Sequence, residues 1–75
     1  MIEEHSNIIL CKDLPAHRLQ KGDIGTVIHT HPKGTAYEVE FTTMTGSTLA
    51  VCTLEADMLQ AVDAGMIPHA RELAL

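Results

Sequence analysis

His29-Thr30-His31 is the one spacing in this chain that suggests a metal. In an extended strand, residues i and i+2 point to the same face, so both imidazoles could meet one ion. Zinc requires at least one more ligand, and Glu38 or Glu40 supplies it if the hairpin through Pro32–Thr35 lays the next strand alongside. The plainer reading of His29 and His31 is a pair of solvated histidines near a strand end. Cys11 and Cys52, with His17, raise the separate idea of a thiol–imidazole pair. No third group suggests itself to orient it, and the simpler expectation is two small buried hydrophobes and a loop histidine. Glu38 and Glu40 share a strand face, which is more often a solvated side than an acid–base pair. Asp23, between Gly22 and Ile24, is turn chemistry before it is catalysis. No glycine-rich phosphate loop is present, because Gly22 and Gly25 lack the Lys-Ser/Thr that would follow. The expectation is therefore a protein that is not an enzyme and that takes no cofactor.

The elements that position these groups read as short strands. Ile8–Cys11 is an apolar run. Ile24–His31 is rich in β-branched residues and holds Gly25, which marks a bulge, a bend or a close backbone approach. In Ala36–Thr42, Tyr37, Val39 and Phe41 alternate with Glu38 and Glu40, the pattern of a half-buried antiparallel strand. Ser47–Thr53 is a fourth strand, and the period then changes over Leu54–Leu59. That change predicts a short helical or 3-10 turn capped by Thr53. Residues 1–7 are polar and expected to fray. Pro15 and Gly22-Asp23 punctuate a long connection, Lys12–Asp23, whose Leu14 and Leu19 fold back onto the core.

Length and charge bound the rest. A chain of 75 residues holds one domain, 1–75, with the barrel over about 8–60 and an extension over 61–75. A domain this small buries only about 60–65% of its unfolded surface, so association is a natural way to bury more. The net charge of −5 and the scattered Lys and Arg argue against a nucleic-acid surface. One Tyr, one Phe and no Trp are too few for a base-stacking platform. No apolar run reaches the ~18 residues of a membrane span. The acidic start, Met1-Ile2-Glu3-Glu4, is unlike a secretory leader, and the expected compartment is the cytoplasm, with both thiols reduced.

Short strands joined by tight turns leave long edges open unless the sheet curls. The expected fold is mainly β: a small SH3-like antiparallel barrel of four or five strands, with a 3-10 or helical turn and a C-terminal tail or helix. Gly65 and Pro68 interrupt that tail, and His69–Leu75 could form a short helix. Its apolar residues Met66, Ile67, Leu73 and Leu75 are the expected interface with a second copy or a protein partner.

The run Leu14-Pro15-x-His17-x-Leu19-x-x-Gly22-Asp23-x-Gly25-Thr26-Val27, then Ala36-Tyr37-Glu38-Val39-Glu40-Phe41, then Thr48-Leu49-Ala50-Val51-x-Thr53-Leu54, resembles a family of small bacterial proteins classed as a domain of unknown function. The likeness covers Ile9 to about Gln60. It implies an SH3-like barrel and a stand-alone accessory protein, in some cases borne on a mobile gene cassette, and it implies no activity. Gly22, Gly25 and Val27 also give a weaker likeness to the SH3-like domain of the nitrile hydratase β subunit, which supports a catalytic partner. The expected function is a non-catalytic, self-associating interaction module. The alternatives are an antitoxin or immunity-type inhibitor of a basic enzyme, and a supporting subunit of a metalloenzyme.

Overall fold

The computed structural model describes residues 2–73. Five strands form one antiparallel sheet: β1 (Asn7–Leu10), β2 (Ile24–Thr30), β3 (Ala36–Thr42), β4 (Thr48–Glu55) and β5 (Leu59–Ala61). Their order across the sheet is β4-β3-β2-β1-β5, so the last strand pairs with the first. This order, with a 3-10 turn at Ala56–Met58 between β4 and β5, is compatible with a small SH3-like barrel. The period-2 pattern of β3 does the sorting. Tyr37, Val39 and Phe41 are buried while Glu38 and Glu40 lie on the outer face. Ile8 and Leu10 of β1, Val27 of β2, Cys52 and Leu54 of β4 and Leu59 of β5 complete the core. Leu19 reaches that core from the long connection and is only 3% exposed; Leu14 bridges to it and packs alongside.

Gly25 is a close approach rather than a bulge. A methyl group there would lie 2.6 Å from Val39 Cγ1 and 2.9 Å from Phe41 Cε1, so the β3 side chains cross directly over the bare backbone. The irregularity in β2 comes three residues later. Val27 opposes Val39 and His29 opposes Glu38, which leaves Ile28 as the extra residue. The bulge resets the alternation and sends His29 to the same outer face as Glu38.

Two expectations are corrected. Residues 2–6 do not fray. The His5 N–H donates to Val27 O (2.6 Å) and the Val27 N–H to Ser6 O (2.9 Å), which carries the β1–β2 ladder past Asn7. The Ile2 N–H donates to Tyr37 Oη at 3.1 Å, and the Ile2 side chain packs on the core. Beyond the bulge, the Thr30 N–H donates to Glu4 and its hydroxyl to Ile2 O. The polar composition of the segment concealed these backbone partners. Second, Thr53 is not a cap: β4 runs on to Glu55, and the Thr53 hydroxyl donates to the Glu38 carboxylate across the sheet at 2.8 Å. Of the two forms expected for the C-terminal extension, a tail or a helix, the described residues take the tail: the chain turns at Ala64–Gly65 and continues as irregular structure through residue 73. Pro68 removes a backbone donor there, and Arg71 spends its hydrogen bonds on another part of the molecule.

Candidate functional site

Two regions gather the side chains that could do something. The first is polar and lies on the outer face of β2–β4. The bulge and the turn at Pro32–Gly34 bring His29 and His31 together, with ring centroids 5.3 Å apart and edge to face. His31 Nε2 lies 2.6 Å from Glu38 Oε2, and His29 Nδ1 lies 3.5 Å from Glu4 Oε2. Hydrogen bonding to His31 and to the Thr53 hydroxyl holds the Glu38 carboxyl below the usual carboxylate range, against a smaller upward push from burial. Both histidines and Glu38, one of the two glutamates expected beside them, thus share one patch. Glu40 is not part of it, because its carboxylate accepts from the Thr48 hydroxyl at 2.6 Å. Among the described residues, no three of His, Cys, Asp and Glu converge as a metal-binding group. His31 occupies one Glu38 oxygen, and His29 turns toward Glu4 instead.

Of the thiol–imidazole idea, the structure assembles nothing. His17 is exposed in the 3-10 turn Pro15–His17. Cys11 Sγ lies 3.8 Å from Ile9 O, and Cys52 faces the core, where burial and the nearby Glu38 charge push its thiol up. Both cysteines are free, and no hydrogen bond joins His17 to either among the described residues.

The second region is an apolar cleft of about 660 Å³ at one end of the sheet. The long connection contributes Leu19 and Asp23, β2 contributes Ile24, β3 contributes Phe41, and the β3–β4 loop and β4 contribute Met44 and Leu49. Pro68–Leu73 forms the remaining wall. Met44 is 93% exposed at this site, an unusual setting for a large apolar side chain. Asp23 anchors the C-terminal segment. The Arg71 guanidinium donates from Nε to Oδ1 (2.8 Å) and from an Nη to Oδ2 (2.7 Å), a bidentate pair. The same Nη donates to Arg18 O at 2.9 Å. Arg18 sits at φ 60 and closes the 3-10 turn, which fixes that carbonyl. The Gln20 N–H donates to Asp23 Oδ2 at 2.8 Å. Partial burial raises the Asp23 carboxyl, but the bonds from Arg71 and Gln20 outweigh it, and the net shift is downward.

Of the residues expected at an interface, Leu73 is half-buried and lines the cleft. Met66 is half-buried beside the Asp63 turn, and Ile67 is 89% exposed. Leu75 lies outside the described residues. Sequence reasoning missed the Asp23–Arg71 pair, whose members are 48 positions apart. The one available signal was a lone arginine among apolar residues in the tail, facing a chain of net charge −5.

A family model described as "Domain of unknown function (DUF4926)" matches residues 4–61, more than half of the chain. No curated protein and no solved structure matches.

Proposed function

The chain belongs to the DUF4926 family, and from that premise we propose that it is a non-catalytic protein-binding module that also associates with itself. One observation carries this reading: the cleft walled by Leu19, Ile24, Phe41 and Leu49, with Met44 almost fully solvent-exposed beside it. Such a surface suits contact with another protein, because burying methionine and aliphatic side chains rewards association without demanding a fixed polar geometry. Ile67 adds a second large apolar side chain left in water. The setting we propose is the cytoplasm of a bacterium, in keeping with two unpaired cysteines. No helix among the described residues is long and apolar enough to cross a membrane.

The test is native mass by sedimentation equilibrium, joined to co-purification from the host at native expression level. The expected result is a concentration-dependent rise above the mass of one chain, or a stoichiometric protein partner. M44D removes either one without unfolding the domain, since the side chain is exposed. A chain that stays monomeric at every concentration and brings down no partner sinks the reading.

One observation favours a second reading. The outer sheet face carries Glu38, Glu40 and Glu55, with the half-exposed Val51 paired opposite Glu40. An acidic face with an apolar centre on a chain of charge −5 suits an inhibitor of a basic enzyme, steered by charge. Its partner would dissociate as salt rises, whereas a partner in the apolar cleft would not.

A further inference from the structure

The C-terminal segment sits on the domain as a ligand would. After the Val62 N–H donates to Asn7 O and the Met66 N–H to Asp63 O, residues 67–73 make no backbone hydrogen bond to the sheet among the described residues. Arg71 holds the segment, on Asp23 and Arg18 O, while the exposed Pro68 and the half-buried Leu73 line the cleft.

The receptor for that arginine is built independently of the segment. The Gln20 N–H fixes one Asp23 oxygen, and the Lys21 N–H donates to Asp13 Oδ1 at 2.8 Å, which pins the neighbouring turn. Gly22 supplies φ 98 in that turn, a conformation that leaves Asp23 facing Arg71. Every wall of the cleft other than the segment itself lies within residues 4–61, the extent of the family match, while the segment lies beyond it.

We infer that this cleft is a peptide-binding groove with Asp23 as its arginine reader. Its partner is an extended protein segment carrying an arginine followed two residues later by an apolar side chain, and Arg71 holds the Asp23 site in cis as a competitor while Pro68–Leu73 forms one wall of the cleft. The chemistry follows from the occupant already seated. A planar guanidinium matches a carboxylate and a carbonyl held side by side, and an aliphatic residue two positions on enters the apolar wall, as Leu73 does. Tethering gives the cis strap an effective concentration on the order of mM, so an outside segment competes only by binding more tightly or by trapping the strap when it lifts. The inference rests on the protein-binding reading and names what that module recognises.

The test uses the full chain and a fluorescein-labelled peptide with the Met66–Leu73 sequence, followed by anisotropy. R71A weakens the cis competitor and leaves the groove intact. It is expected to bind the peptide at least tenfold more tightly than the unaltered chain does. A peptide with alanine in place of its arginine is expected to lose at least tenfold on R71A, which tests the arginine without altering the protein. R71A/D23N should lose the same factor, with circular dichroism confirming its fold. Equal binding of the two peptides, or R71A no better than the unaltered chain, overturns the inference. An unaltered chain that is dimeric and becomes monomeric on R71A overturns it in favour of strap exchange between copies. If R71A ignores the peptide while M44D still abolishes association, only the arginine groove fails; if no association exists at all, both readings fail.

Discussion

The sheet and the C-terminal strap hold their places by different physics. In β2–β4, backbone ladders and a shared apolar core fix each residue many times over, and Phe41 and Val39 are essentially inaccessible. In residues 62–73, one guanidinium and a few half-buried side chains do the fixing. A structure held by many weak contacts melts as a unit, and one held by a single strong polar contact detaches alone. The chain therefore carries a cooperative body and a releasable appendage.

Substitutions separate the two. Phe41→Ala strikes the body where it is densest, and its expected cost is about 3–5 kcal/mol, comparable to the whole stability of so small a domain. Urea titration followed by far-UV circular dichroism should find it largely unfolded; a midpoint near that of the unaltered chain would show that the core is not where stability resides. Gly25→Val comes next. Its new side chain would overlap Val39 and Phe41, and overpacking of this kind costs about 1–3 kcal/mol. The same titration reads it, and a neutral result would mean that β3 can slide off β2.

R71A should leave the urea midpoint of the body almost unmoved while proteinase K cuts within residues 62–73 many times faster. Unfolding of the sheet by R71A would show that the sheet and the strap are one cooperative unit. Acid should act in the same order. The Asp23 and Glu38 carboxyls both titrate below their ordinary range in the folded chain. Between the folded and unfolded values the unfolded chain binds more protons, so stability rises with pH there. Their contribution is complete above the ordinary carboxylate range of about 4 and vanishes as pH falls through the folded values. Strap release, seen as amide exchange in residues 66–73, should precede loss of the sheet on acidification, and D23N should remove that early step. The smallest effect expected is that of zinc. Excess metal should leave Tm unchanged, because among the described residues His29, His31 and the carboxylates beside them do not converge as a metal-binding group; a clear rise would return those two histidines to the list of functional groups.

The alternation of Tyr37, Val39 and Phe41 against Glu38 and Glu40 made β3 legible residue for residue, because burial on one face writes a period of two directly into the chain. The long connection was legible too, through Pro15, Gly22 and the two leucines that return it to the core. The bulge at Ile28 was not, since an extra residue in a β-branched run leaves no mark in composition. The docking of residues 2–6 was hidden for a related reason: it depends on backbone groups, which every residue carries alike. The histidine spacing led to a real cluster with Glu38, yet its pairing with Glu4 depends on the N-terminal fold that composition had argued against. Asp23 was placed in the right turn and given only half its role. A side chain can terminate a turn and grip a distant arginine at once, and sequence proximity reveals only the first.

Cys52 faces the core at 6% exposure with its thiol made less acidic, while Cys11 is half open to water. The two thiols consequently form a clock with two hands. An alkylating reagent should consume Cys11 at a rate set by ordinary encounter, and Cys52 only as often as the sheet opens. The ratio of the two rates times the breathing of the body in the unaltered chain, without a foreign label or a denaturant.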